Sequence, residues 1–271
     1  DFVPGDKVIF FDDFSDTDVG EFPLKWHLKG PRGGDNNAVE VVDYQGRRYM
    51  RSRPAREDNQ APSTQYLRLT TKGDLPQKFT IEFDAFLGWS KYEDSNARYY
   101  VYLLKNLEDW PGVDTPRAGA LAFSGQEGRS LNTQTAIRKQ DNQLHHIAIS
   151  VNGTFVKAYV DNERVINDPD GVERPIGLVG LAMFSAGGTA SERVMITNLR
   201  LAEGGKDMKA ALSTDGRIVT HGILFDSGSD RLKNESLPTL KSILALLQQD
   251  PKLRFAVEGH TDDQGGKAIN Q

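Results

Sequence analysis

The 271 residues include no cysteine, so disulfides, zinc-thiolate centres and thiol nucleophiles are excluded. Compartment stays open, because a cysteine-free chain tolerates cytosol and periplasm alike. No apolar run approaches the roughly 18–20 residues that cross a bilayer. The longest helical one, Leu240 to Leu247, is interrupted by Lys241 and Ser242. Asp1 to Gly5 lacks both the basic and the apolar region of a secretory signal, so a soluble chain or the mature form of an exported protein is expected. Basic stripes are also missing. The formal net charge is −5, and from Gly205 onward nine Lys/Arg balance nine Asp/Glu, so the acidic excess lies upstream. Nucleic acid is therefore not an expected partner.

The first two hundred residues carry strand patterns. Val8–Phe11, Val39–Val42, Tyr66–Leu69, Phe79–Leu87 and Arg98–Leu104 are rich in β-branched and aromatic residues, with Gly, Asn, Asp and Pro in the gaps. Along Phe79–Leu87 apolar residues fill the odd positions, the period of a strand with one buried face. Ile147–Val151 runs into Asn152-Gly153 and returns as Phe155–Val160, which predicts a hairpin with a type I′ turn on Asn-Gly. A second turn at Asp161-Asn162-Glu163 leads into Arg164–Ile166, and Leu178–Phe184 and Val194–Leu201 close the region. A dozen or so strands without a helix predict an antiparallel β-sandwich of jelly-roll type over residues 1–203.

At Ala202–Lys206 the pattern changes. Gly216–Phe225 reads as a strand, Ser236 as the N-cap of a helix with Pro238 in its first turn, and Leu253–Val257 as another strand. Leu240, Ile243, Leu244 and Leu247 share one helical face, which predicts the side that packs. The expectation for residues 206–271 is a β-α-β unit, so the fold class is mainly β with a partial α+β module.

Three pieces of this second region resemble the OmpA C-terminal-like domain, which holds envelope proteins to peptidoglycan. Gly222–Asp230 is similar to that family's strand-to-loop segment, and the Leu-rich helix follows in place. Val257-Glu-Gly-His-Thr-Asp-Asp-Gln-Gly265 is similar to its Gly-His-Thr-Asp-x-x-Gly signature, with Asn270 where its Asn is expected. The family pattern continues with Leu-Ser and an Arg, whereas this sequence stops at Gln271, so an incomplete module is expected. The resemblance implies that Asp262 holds the ammonium of a diamino acid in the stem peptide, with Phe225, Asp226 and Asn270 framing the pocket. It also implies a periplasmic or outer-membrane-associated location in a Gram-negative bacterium. The first region more loosely resembles concanavalin-like or laminin-G-like sandwiches, through Phe11-Asp-Asp-Phe14, Phe22-Pro23, Trp26, the His145–Val165 double hairpin and Val194–Leu201. Such sandwiches host lectins, glycanases and adhesion modules, so fold alone assigns no function.

Among chemical candidates, Glu82 and Asp84 sit at i and i+2, the spacing of a glycosidase carboxylate pair. Laminarinase-type enzymes add a third carboxylate, where this chain has Phe86 and Leu87, so a solvated strand face is the expectation. Trp89, Tyr92 and Trp110 lie in loop-like segments and are candidates for stacking on sugar rings. Asp12, Asp13 and Asn198 are candidates for a structural calcium, without regular ligand spacing. His260 and His145-His146 read as structural, and no catalytic residue, metal enzyme or organic cofactor is expected. The leading expectation is a non-catalytic envelope protein, anchored to peptidoglycan and presenting a sandwich to a glycan or protein ligand. The alternatives are a wall-tethered glycoside hydrolase and a structural spacer.

Overall fold

Phe79, Ile81, Phe83, Ala85 and Leu87 enter one core, while Thr80, Glu82, Asp84 and Phe86 occupy the other face of their strand, as a period of two requires. The computed structural model describes residues 2–28, 39–52, 63–69, 73–87, 97–106, 119–139, 143–185, 194–205 and 208–259. Among them the strands are, in chain order, β1 (Lys7–Asp12), β2 (Trp26–Leu28), β3 (Val39–Tyr44), β4 (Arg47–Ser52), β5 (Ser63–Leu69), β6 (Lys78–Leu87), β7 (Arg98–Leu104) and β8 (Ala120–Ser124). They continue as β9 (Glu127–Arg129), β10 (Gln134–Ala136), β11 (Gln143–Asn152), β12 (Phe155–Val160), β13 (Glu163–Asp168), β14 (Leu178–Ser185) and β15 (Met195–Glu203). Two helices follow, α1 (Met208–Asp215) and α2 (Leu237–Gln249).

The strands form two antiparallel sheets. The front sheet runs β13-β12-β11-β6-β15-β4-β3 with β1 beside β15, and the back sheet runs β10-β9-β8-β7-β14-β5-β2. Side chains from both, among them Phe83, Ile149 and Leu201 in front and Val101, Phe123 and Leu181 behind, share one continuous core. Tyr99 of β7 crosses it. Its hydroxyl donates to the Phe86 carbonyl at 3.0 Å and accepts from the Met195 amide at 3.2 Å, so a back strand is tied to two front strands. The expected sandwich is therefore present, with β2, β4, β8, β9 and β10 added to the strands anticipated from pattern.

One of the two predicted turns differs from expectation. In the β11–β12 hairpin Asn152 pairs with Phe155, so the turn is Gly153-Thr154, and of these only Gly153 has positive φ, at 64°. That sign pattern belongs to a type II′ turn, which needs glycine at its first central position. The type I′ sign pattern falls instead on Asp161-Asn162, with φ of 49° and 69°, between the paired Val160 and Glu163.

The expected β-α-β unit is not formed among the described residues. Leu237–Gln249 is helical as predicted, but Gly216–Phe225 and Leu253–Val257 are not strands, apart from a single bridge between Phe225 and Leu232. A strand needs a neighbour along its length to take its ladder hydrogen bonds, and among the described residues the pairing is limited to Leu224 and Asp226 against Lys233 and Arg231. Ser236 precedes α2, yet its hydroxyl bonds the Leu224 amide and carbonyl at 2.8 and 3.1 Å rather than capping the helix. The helix is also turned from its expected orientation. Thr239 and Leu246 are its buried residues, while Leu244 of the predicted packing stripe is 53% exposed.

Candidate functional site

The outer face of the front sheet carries an ion network where β11, β6 and β15 adjoin. Register sets it: His146 lies opposite Asp84, and Thr197 opposite Asp84 with Arg200 opposite Glu82. Between those last two pairs β15 has two residues against one on β6, a β-bulge with Asn198 at φ 54°. The bulge lets Ile196, Leu199 and Leu201 all reach the core while Arg200 stays on the outer face.

Arg200 Nη1 donates to Glu82 Oε1 at 3.1 Å, and Nη2 donates to the Gly5 carbonyl at 2.9 Å. His146 bridges the two acids, with Nδ1 2.8 Å from Asp84 Oδ1 and Nε2 3.5 Å from Glu82 Oε2. Asn198 Nδ2 donates to the second Asp84 oxygen at 2.8 Å. Burial by itself disfavours the imidazolium, but the hydrogen bonds and charges of Asp84 and Glu82 outweigh it and raise the His146 pKa to about 9. Burial likewise pushes the Asp84 carboxyl up, and the donors His146 and Asn198, with Lys241 adding its charge, bring it below its usual range. Two carboxylates thus face two cations. The expectation of a solvated face for Glu82 and Asp84 is overturned, since Glu82 is only 3% exposed.

A cavity of about 620 Å³ lies over this network. Its floor includes Glu82, His146, Asp161 and Asn162, one wall is the segment Phe2–Asp6, and α1, Ile218–Thr220 and α2 line the rest. Asp161, at the β12–β13 turn, accepts from the His146 amide at 3.0 Å and meets His145 Nδ1 at 2.6 Å. Asp161 thus holds both adjacent histidines.

Farther along the same strands the face becomes aromatic. Tyr44, Gln45, Arg47, Tyr49, Phe86, Gln143 and Leu144 line a second cavity of about 400 Å³. Tyr44 meets Phe86 edge-on at 5.7 Å between centroids and Tyr49 at 6.1 Å. Burial raises the Tyr49 phenol pKa, opposed by Arg47 and assisted by the Asp84 carboxylate. Rings beside amide and guanidinium groups combine an apolar platform with planar hydrogen-bonding partners.

This site was not anticipated from the sequence, although Tyr44 and Tyr49 flank a readable turn at Gln45-Gly46, where φ is 54° and 74°. Of the residues proposed from sequence, Trp89, Tyr92, Trp110, His260, Asp262 and Asn270 lie outside the described residues. Phe225 and Asp226 adjoin at the isolated bridge, where Phe225 is 51% exposed and Asp226 lies 3.8 Å from Arg231. Of the candidate calcium ligands, the Asp12 and Asp13 oxygens accept N–H donors and Asn198 is itself a donor. Asp12 accepts from Trp26 Nε1 and the Phe14 amide, each at 2.9 Å, and Asp13 accepts from Asn234 at 2.9 Å, while Asn198 serves Asp84. Among the described residues no group of three His, Asp or Glu is placed to hold a metal.

No protein-family model and no curated protein sequence matches the chain. Among solved structures it is similar to the Emp47p carbohydrate recognition domain, at 15% identity over 74% of this chain and 97% of that one, with a TM-score of 0.46. It is also similar to a protein of unknown function with a galectin-like fold from Bacillus subtilis, at 8% identity over 76% and 100% with a TM-score of 0.48. A third similar structure is a glycoside hydrolase family 16 endo-glucanase from Bacteroides ovatus, at 11% identity over 72% and 98% with a TM-score of 0.44.

Proposed function

We propose that this is a non-catalytic envelope protein whose sandwich binds a glycan on the outer face of its front sheet. The observation that carries the reading is the aromatic cavity of Tyr44, Tyr49 and Phe86, which lies two residues along β6 and β11 from a charge-balanced network of acids and bases. Sugar rings present apolar faces and vicinal hydroxyls together, so stacking surface beside bidentate polar groups is the matching chemistry. A hydrolytic role is disfavoured by the same geometry. Glu82 is engaged by Arg200 and His146, and the position of a third carboxylate is taken by Phe86 and Leu87. The envelope location and peptidoglycan anchoring rest on the Gly259-His-Thr-Asp-Asp-Gln-Gly265 resemblance, with Phe225 and Asp226 accessible as that reading requires.

A glycan array probed with the whole chain, followed by calorimetry on Tyr44→Ala and Arg47→Ala, tests the sandwich. Binding weakened about tenfold in either variant supports the site; binding unchanged in both removes it. Sedimentation with purified sacculi tests the anchor. Retention lost in Asp262→Ala supports it, and retention indifferent to that substitution does not.

A further inference from the structure

The segment after the sandwich has a definite place relative to the proposed glycan face. Thr220 donates its hydroxyl to Asp6 Oδ1, and the His221 amide donates to the same oxygen at 2.9 Å. Asn234 Nδ2 reaches Asp13 Oδ2 at 2.9 Å, so the segment is fastened to the sandwich at two points. Gly222 lies so close to Thr239 that any added Cβ would strike its hydroxyl, which seats the start of α2 on this stretch. The outcome is that Thr239, Ser242, Leu246 and Gln249 line the cavity above Glu82 and His146, opposite the sheet.

Position along the strands then matters. Phe86 in the aromatic cavity and Glu82 in the covered cavity are four residues apart on β6, a separation of about 13 Å at strand spacing. A chain of sugars lying along β6 and β11 from the aromatic rings would run toward Glu82 and meet α2. We propose that α2 and residues 218–220 form the end wall of the glycan site, so that the protein recognises the terminus of a neutral oligosaccharide of a few units rather than the middle of a polymer. The inference rests on the glycan reading and goes further by fixing the kind of ligand. Glu82 and Asp84 are paired with Arg200 and His146, and the other charges lining the covered cavity, Asp6 and Asp161 against Lys209 and Lys241, balance, so a ligand without charge is the match at that end.

The test uses the whole chain and an array of linear gluco-, xylo-, manno- and galacto-oligosaccharides of two to seven units. For the linkage that binds, calorimetry compares the trisaccharide with its polymer at several chain lengths. End recognition gives one protein bound per polymer chain at every length, and a trisaccharide affinity within about threefold of the polymer's. Ser242→Trp, which projects a ring from the end wall into the cavity, should weaken the trisaccharide about tenfold at an unchanged melting temperature. Protein bound in proportion to polymer length, or Ser242→Trp binding like the parent, overturns the end wall while leaving glycan recognition standing. No binding on the array removes both.

Discussion

Replacing Arg200 by Met isolates the most buried charge pair of the outer face. The Arg200 side chain is 1% exposed and that of Glu82 is 4%. Loss of the guanidinium leaves Glu82 with only His146 at 3.5 Å and deprives the Gly5 carbonyl of its donor. Breaking a buried pair from one side costs about 3–5 kcal/mol. Relief comes from Arg200 Nε, which is buried with no hydrogen-bond partner and carries a penalty of its own. The net expectation is a loss of about 3 kcal/mol. With a urea m value of about 3 kcal/mol/M, the midpoint falls by about 1 M at unchanged m. Arg200→Met combined with Glu82→Leu should cost about 1 kcal/mol or less, because no uncompensated charge then remains at that position. A single variant losing under about 1 kcal/mol, or a double variant equal to the sum of the singles, would refute the buried-pair argument.

His146 has a folded pKa of about 9 against 6.5 for the free imidazole, so its stabilisation is complete below about pH 6.5 and fades as pH rises through 9. The full difference is about 3 kcal/mol; with 38% of the side chain exposed, about 1–2 kcal/mol is expected. Denaturation midpoints from pH 6 to 9.5 should show this decline, and His146→Gln should flatten it. An added Cβ at Gly5 would lie 2.5 Å from the Ala202 carbonyl oxygen and 2.7 Å from Thr80 Oγ1. Gly5→Ala is thus expected to cost about 2 kcal/mol, read as a melting temperature lower by about 6 °C; an unchanged value would show that the N-terminal segment yields freely. Asp161→Ala removes the acceptor for the His146 amide and the partner of His145 at a position of φ 49°, and should cost about 2 kcal/mol in urea titration. Asp161→Asn, which tolerates that backbone and keeps one acceptor, should recover at least half of the loss.

The sequence by itself determined ten of the fifteen described strands, those whose signal is local. Alternation along Phe79–Leu87 and Ile147–Val151 assigns a buried face before any partner is known. It likewise determined the extent of α2, from the residue before Leu237 to the stop at Asp250-Pro251. Tertiary structure decided what depends on register. Asp84 and His146 are sixty-two positions apart and meet only because β6 pairs with β11, and Arg200 reaches Glu82 only because a bulge at Asn198 shifts β15. The orientation of α2 was also settled in three dimensions. Its apolar stripe marks the face with most to gain from burial, but Gly222, Asp6 and Asp13 hold the neighbouring segment so that Thr239 and Leu246 turn inward. Periodicity shows which faces differ in polarity, while which surface each face meets follows from contacts that no local window contains.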